Sequence, residues 1–419
     1  MTDLKSYVDE LLANAARASR SLARASTALK DEALRAAADG LAANAASLKQ
    51  ANEKDVKSGK AAKLSPAIVD RLALTDKRIC EMAEALRAVA SLRDPVGEII
   101  SGWTRPNGLR IQKVRVPIGV LCVIYESRPN VTADAASLCL KSGNAVILRG
   151  GSESIHSNIA IHAIISRAIE ASGLDKDSVQ LVNTTDRAAV DLLLAAAGKI
   201  DLVVARGGEG LIRAVMEKAR MPVLKHYKGV CHTFVDESAD LALAEKVCLN
   251  AKLQRPAVCN AMETMLIHSA IAERFLPPIA RKLSEAHCEM RGCERSMKLA
   301  PGMKPAAEED YYTEYGDLIL SVKVVASVEE AIAHITKYGS KHTDAIITEN
   351  IAAAERFTGE VDSSGVFVNC STRLNDGGEF GMGAEIGTST DKLHARGPMG
   401  LEELTSYKYI VQGDGQIRT

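Results

Sequence analysis

Apolar positions in the first hundred residues recur at helical spacing. Leu4, Val8, Leu11, Leu12 and Ala15 share one face of an alanine-rich stretch and predict an amphipathic helix. Ser65-Pro66 reads as an N-cap with proline in the first turn. It predicts one helix carrying Ile68, Leu72, Ile79, Met82, Leu86 and Val89. Arg93-Asp-Pro-Val-Gly97 breaks the period, and Thr104-Arg-Pro-Asn-Gly108 is turn chemistry. The following Leu109-Arg-Ile-Gln-Lys-Val-Arg-Val116 alternates as a strand does, so 102–117 is expected to form an exposed hairpin arm.

From Gly119 the rhythm changes. Gly119-Val-Leu-Cys-Val-Ile-Tyr125, Ala145-Val-Ile-Leu148, Val179-Gln-Leu-Val182 and Leu202-Val-Val-Ala205 are short apolar runs separated by helical stretches. That alternation predicts a parallel sheet with helices on both faces. A second series holds Cys231-His-Thr-Phe-Val235, Glu263-Thr-Met-Leu-Ile267, Leu318-Ile-Leu-Ser-Val322 and Ala345-Ile-Ile347, so two Rossmann-type α/β units in tandem are expected. Gly365-Val-Phe-Val-Asn369 and Thr405-Ser-Tyr-Lys-Tyr-Ile-Val411 add later strands.

At 419 residues the chain is long enough for two to three domains. With 52 basic and 53 acidic residues the net charge is −1, which provides no field to gather nucleic acid or an anionic membrane. A small-molecule partner is expected instead. No apolar run reaches the ~18 residues of a membrane span and no signal peptide opens the chain, so a cytoplasmic protein is expected. Nine scattered cysteines without a CxxC suit a reducing compartment. His287, Cys288 and Cys293 lack the second ligand pair of a zinc site, and no metal is expected.

Eight of the nine cysteines read as packing residues, the usual role of a free cysteine. Cys259, in Asn250-Ala-Lys-Leu-Gln-Arg-Pro-Ala-Val-Cys-Asn260, has polar neighbours, a proline, and Arg255 four residues upstream to help hold a thiolate. It is the nucleophile candidate. Two strand-to-helix turns, Arg149-Gly150-Gly151-Ser152 and Arg206-Gly207-Gly208, could let backbone approach a nucleotide phosphate; each could equally be an ordinary turn. In Tyr125-Glu-Ser-Arg-Pro-Asn-Val131, Arg128 could pair with a carboxylate or phosphate and Asn130 could donate to an oxyanion, or the segment is a surface turn. The glycine-rich stretch from Phe380 to Pro398 carries Lys392, His394 and Arg396 in alternation, which suits an anionic group or a mobile basic loop.

These blocks carry a resemblance. Val116-Pro-Ile-Gly-Val120 through Asp134, Lys141-Ser-Gly-Asn-Ala-Val-Ile-Leu-Arg-Gly-Gly-Ser152, the Cys259 segment, and Phe380-Gly-Met-Gly-Ala-Glu-Ile-Gly387 through Leu401 follow in order over about 100–410. The chain resembles the γ-glutamyl phosphate reductases of the aldehyde dehydrogenase superfamily. The resemblance implies NADPH-dependent reduction of L-glutamyl 5-phosphate to glutamate 5-semialdehyde in proline biosynthesis, through a thioester on Cys259 with Asn130 and the Cys259 amide as oxyanion donors. It also implies a superfamily glutamate at Glu314 near the nicotinamide ribose. Hydrolytic relatives carry a general-base glutamate where this chain has Leu224-Lys-His-Tyr-Lys-Gly-Val-Cys-His232, as expected of an enzyme that must not activate water. His226 and His232 there are acid/base or phosphate-binding groups, or structural. Arg149 beside Gly150, Gly151 and Ser152, where NAD-specific relatives place an acid, favours NADPH.

The implied architecture is an aldehyde-dehydrogenase-like α/β fold. Its parts would be an NADPH-binding domain of residues 1–228 with 360–400, which includes the arm at 102–117, a catalytic domain over 229–359, and an oligomerisation strand over 401–419. A homodimer or homotetramer is expected, since an exposed strand edge is normally covered. Association with glutamate 5-kinase is a further possible partnership. The rivals are an ordinary or CoA-acylating aldehyde dehydrogenase, and a non-catalytic nucleotide-binding scaffold.

Overall fold

The N-terminal stripe forms the helix that its spacing requires. In the computed structural model, which describes residues 2–418, α1 (Thr2–Leu22) buries Val8, Leu11, Leu12, Ala15 and Ala18. The described residues divide into one unit of 2–225, 381–387 and 399–418, and a second of 226–380 and 388–398.

In the first unit α1 is followed by α2 (Thr27–Ala43), α3 (Ala45–Ala61), α4 (Pro66–Leu72) and α5 (Asp76–Ser91). The single helix expected from Ser65 is therefore two. The break is built: Asn52 donates to the Leu72 carbonyl at 2.7 Å and accepts from the Leu74 N–H at 2.8 Å, and the Thr75 hydroxyl caps α5 by accepting from the Arg78 N–H. The antiparallel pair β1 (Ile99–Thr104) and β2 (Arg110–Pro117) forms the arm, and the C-terminal strand Thr405–Gln412 adds to the other side of β2.

The parallel sheet of this unit contains β3 (Val120–Tyr125), β4 (Ala145–Arg149), β5 (Val179–Leu181), β6 (Leu202–Arg206) and β7 (Val223–Leu224) in the order β5-β4-β3-β6-β7. Helices α6 (Asn130–Lys141), α7 (Ile155–Ala171), α8 (Ala188–Leu194) and α9 (Glu209–Lys218) link them. Every residue of β3 is buried, which explains its unbroken apolar run. The chain steps outward from β3 to β5, then returns to β6 on the other side, making a topological switch between β3 and β6.

The second unit holds β8 (Cys231–Val235), α10 (Leu241–Leu253), β9 (Met262–His268), α11 (Ala272–Glu285), β10 (Glu289–Gly292), α12 (Glu294–Leu299), β11 (Lys304–Pro305) and α13 (Glu308–Tyr311). It continues with β12 (Ile319–Val325), α14 (Val328–Tyr338), β13 (Thr343–Ile347), α15 (Ile351–Glu360) and β14 (Gly365–Val368). The strands form one parallel sheet in the order β11-β10-β12-β9-β8-β13-β14. Successive side chains leave a strand on opposite faces: Val235 and Ile267 pack with α10 and α11, whereas Phe234 and Leu266 pack with α14 and α15. Strand β10, with the sequence Glu-Met-Arg-Gly, is too short and polar to have been foreseen.

Two boundaries differ from expectation. Residues 360–380, placed with the cofactor domain on sequence, belong to the second unit because β14 pairs in register with β13. Residues 388–398 join it too, tied by Arg396 to Asp362 at 2.8 Å. Among the described residues no helix is long and apolar enough to cross a membrane.

Candidate functional site

Strands β9, β8 and β13 are neighbours and parallel, so they begin at the same edge of the sheet. The segments leading into them therefore converge. Cys259 precedes β9, His226 precedes β8 and His342 immediately precedes β13. Their sulfur and imidazole nitrogen atoms lie within 4.8 Å of one another. The cluster sits at the amino-terminal edge of this sheet, not at the carboxyl ends where open α/β sheets usually gather ligands.

Gly229 fits against the Cys259 loop. A Cβ there would stand 1.9 Å from the Cys259 carbonyl oxygen and 2.6 Å from its Cα. The Gly229 N–H donates to Glu314 at 2.9 Å, so Glu314 braces the segment that packs on that loop. The buried Cys231 thiol donates to the Cys259 carbonyl at 3.1 Å, and burial pushes its pKa well up. Cys259 itself is half-buried, and among the described residues no acceptor meets its backbone N–H.

His226 is held in one tautomer. Its Nδ1 lies 3.0 Å from the Thr388 carbonyl, which can only accept, so Nδ1 carries the proton and Nε2 presents a lone pair. The His342 ring meets it edge-on with centroids 5.4 Å apart, and His342 Nδ1 lies 2.7 Å from the Thr343 hydroxyl. Asn260 donates to the Asn375 carbonyl at 3.0 Å and accepts from Arg373, while Arg373 also donates to Gln254 at 2.9 Å. Burial lowers the Arg373 pKa; the charge of Arg255 lowers it further, and Asp376, then Cys259, pull it up. The ends of the loop are clamped by Lys252 on α10 and Glu263 on β9, paired at 2.6 Å with both side chains fully buried. Burial outweighs the pull of Lys252 and holds Glu263 up, at about 7.

The remaining expected residues distribute as follows. Arg255 is exposed, and the groups that the structure brings to the sulfur are two imidazoles. His232 is fully buried and pairs with Asp344 at 2.8 Å. Lys392 and Arg396 converge on Asp362, at 2.7 and 2.8 Å, and together hold its carboxyl below the usual range. His394, exposed in the same loop, has a left-handed backbone with φ of 69°. Burial raises the thiols of Cys248 to about 12 and Cys288 to about 11, as inert packing residues require. At Cys293 burial is overcome by hydrogen bonding with Ser296 and the Val324 N–H, so its pKa falls.

The other candidates lie in the first unit. Asn130 opens α6 and donates to Asp134 at 2.8 Å; Arg128 stands, half-buried, two residues before it. At the end of β4, a Cβ on Gly150 would strike the Asn158 amide at 2.1 Å and the Tyr125 ring at 3.0 Å, whereas one on Gly151 would meet the Glu153 carboxylate at 2.4 Å, a side-chain end that can swing away. Ser152 begins a 3-10 turn rather than α7 itself. Arg149 donates to the Gly150 carbonyl at 2.8 Å while its buried Nε has no partner among the described residues. Burial lowers its pKa, the Glu153 carboxylate works against that, and the neighbouring charge of Arg187 lowers it further. Gly207 and Gly208 lead into α9 beside the switch, where the Gly208 N–H donates to Glu126 at 2.9 Å. Arg187, His342, Arg373 and Thr388 were not foreseen, because each lies far in sequence from the residue that it accompanies.

The model of the aldehyde dehydrogenase family matches residues 3–315. The gamma-glutamyl phosphate reductase of Thermodesulfovibrio yellowstonii is 55% identical over 416 residues, covering 99% of this chain and 100% of its own. That of Moorella thermoacetica is 54% identical, covering 96% and 97%. Among solved structures, gamma-glutamyl phosphate reductase from Thermotoga maritima superposes with a TM-score of 0.96 at 47% identity, covering 98% and 100%. An acetylating aldehyde dehydrogenase from Geobacillus thermoglucosidasius, 16% identical with a TM-score of 0.71 over 100% of this chain and 99% of its own, shares the fold.

Proposed function

The chain belongs to the aldehyde dehydrogenase family, and to the branch of it whose members are named gamma-glutamyl phosphate reductase; on that premise we propose that it reduces L-glutamyl 5-phosphate to L-glutamate 5-semialdehyde with Cys259 as nucleophile. The observation that carries the reading is the half-buried Cys259 sulfur within 4.8 Å of the His226 and His342 imidazoles. His226, with Nδ1–H committed to the Thr388 carbonyl, takes the thiol proton on Nε2. The thiolate attacks the acyl carbon, the acyl–oxygen bond to phosphate breaks, and a thioester remains on Cys259. The Cys259 N–H, which meets no acceptor among the described residues, is available to a developing oxyanion. Asn130 is a second donor in this reading, by resemblance. No glutamate stands in the 224–232 segment to activate water, so the thioester is not diverted to hydrolysis.

Nicotinamide cofactor chemistry fits the residues of the first unit. Arg149 feels the charge of Glu153 and, less strongly, that of Arg187, and its buried Nε has no partner among the described residues, a donor set suited to a 2′-phosphate and hence to NADPH. When bound, the reduced nicotinamide supplies the hydride that converts the thioester to the aldehyde. Gly207 and Gly208 would receive phosphate only if Glu126 yields its place at the head of α9. Glu314, resembling the superfamily glutamate of the nicotinamide ribose, supports this end of the cofactor while bracing Gly229. Arg373, Arg128, Arg255 and the Lys392, His394 and Arg396 loop are the cations assigned to the substrate's phosphate and carboxylate. The three-stranded sheet of β1, β2 and the C-terminal strand leaves Trp103, Tyr409 and Val411 exposed by 44%, 56% and 54%, which supports assembly as a homodimer or homotetramer. Docking to glutamate 5-kinase remains part of the proposal.

The test runs the reaction backwards with glutamate semialdehyde, NADP⁺ and phosphate, following NADPH absorbance. Turnover that requires phosphate and disappears in Cys259→Ala with cofactor binding kept is the expected result. Turnover indifferent to phosphate, or intact in Cys259→Ala, overturns the reading.

A further inference from the structure

The three side chains that meet at the nucleophile are also a set of soft metal ligands. We propose that His226, Cys259 and His342 form an open binding site for a divalent cation of the zinc class, and that its capture reversibly inactivates the resting enzyme. One thiolate and two imidazoles are the donor types that such ions select over magnesium or calcium, which prefer oxygen. The donor atoms lie within 4.8 Å of one another, so a small closing motion brings all three onto one ion. Three protein ligands leave the fourth tetrahedral position to water.

A second observation supports the site independently of the cluster itself. The Nδ1–H of His226 is donated to the Thr388 carbonyl at 3.0 Å, the outer arrangement that fixes the ring of a metal-ligating histidine and directs the other nitrogen to the ion. Access is open, since Cys259 and His226 are both half-buried while His342 forms the buried wall. Spacing in the sequence concealed the set, because its members precede three different strands.

Binding proceeds with a simple balance. The Cys259 thiol loses its proton to solvent, the thiolate forms one bond to the cation, and each imidazole gives a lone pair; nothing is oxidised or reduced. An acylated Cys259 has no thiolate to offer, so metal and acyl substrate exclude one another. The inhibition, though not the binding, rests on Cys259 being the nucleophile.

The test titrates cobalt(II), a coloured stand-in for zinc, into the metal-free full-length protein without added thiols. Expected are a near-ultraviolet sulfur-to-cobalt charge-transfer band saturating at one ion per chain, its displacement by zinc, its loss in Cys259→Ser, and affinity weakened about tenfold or more in His226→Ala. No band, a band that survives in Cys259→Ser, or one removed instead by Cys231→Ser or Cys293→Ser overturns the site. Unchanged affinity in His226→Ala does so too. Zinc should abolish turnover and a chelator restore it. If the band behaves as expected while turnover is untouched by zinc, the metal site stands and Cys259 as nucleophile falls.

Discussion

Gly229→Ala is the sharpest test of how Cys259, the proposed nucleophile, is held. The new methyl would stand 1.9 Å from the Cys259 carbonyl oxygen and 2.6 Å from its Cα, where real Cβ atoms keep at least 3.0 Å away. Both obstacles are backbone, so no rotamer relieves them and the loop must shift by about 1.1 Å. A displacement near 1 Å at a reacting centre costs about 10²-fold in rate, or about 2.7 kcal/mol of transition-state stabilisation. The loss should appear in kcat of the phosphate-dependent assay. Cofactor affinity, measured by NADPH fluorescence, should fall far less than kcat, since 149–152 and 187 lie in the other unit and only Glu314, which accepts from the Gly229 N–H, is shared. Gly359→Ala is the control: nothing lies within 4 Å of its added Cβ, and alanine in α15 should stabilise by about 0.5–1 kcal/mol with activity unchanged. If Gly229→Ala keeps more than a third of wild-type kcat, the close packing of these two segments is not what positions the thiol.

Three further outcomes follow from buried and paired charges. Lys252→Met leaves Glu263 buried without its cation and should weaken the β9 region by about 3–5 kcal/mol at pH 8, read from hydrogen exchange of its amides. The loss should shrink at pH 5, where the carboxyl, already raised to about 7 and freed of its lysine, is neutral. His334 is held down to about 2 by burial, then by His232, Lys323 and Lys337, against an ordinary 6.5. Below pH 6.5 the unfolded chain binds a proton that the folded one refuses, so stability falls by about 1.4 kcal/mol per pH unit as acid is added; His334→Leu should lose that slope in urea denaturation. Arg187→Ala should raise the KM for NADPH about tenfold or more while leaving NADH nearly unchanged, the size of one charge-assisted hydrogen bond; equal effects on both cofactors would remove Arg187 from the 2′-phosphate.

Periodicity determined much of this protein by itself. Apolar runs at 120–125, 145–149, 202–206, 231–235 and 262–268 became buried parallel strands because a strand covered on both faces has no reason to alternate. Polar neighbours and a proline also set Cys259 apart, in the sequence, from thiols in continuous apolar stretches. Tertiary structure decided what surrounds it. Arg255 is near in sequence, yet the imidazoles of His226 and His342 lie 33 and 83 residues from Cys259 and arrive through the order of β9, β8 and β13. Strand order depends on long-range pairing, which leaves no local trace in the residues that it brings together. Likewise Lys392 and Arg396 read as a basic loop until the fold supplied Asp362 as their counter-ion. Local spacing sets which face of an element is apolar; only the packed sheet sets which polar groups share an edge.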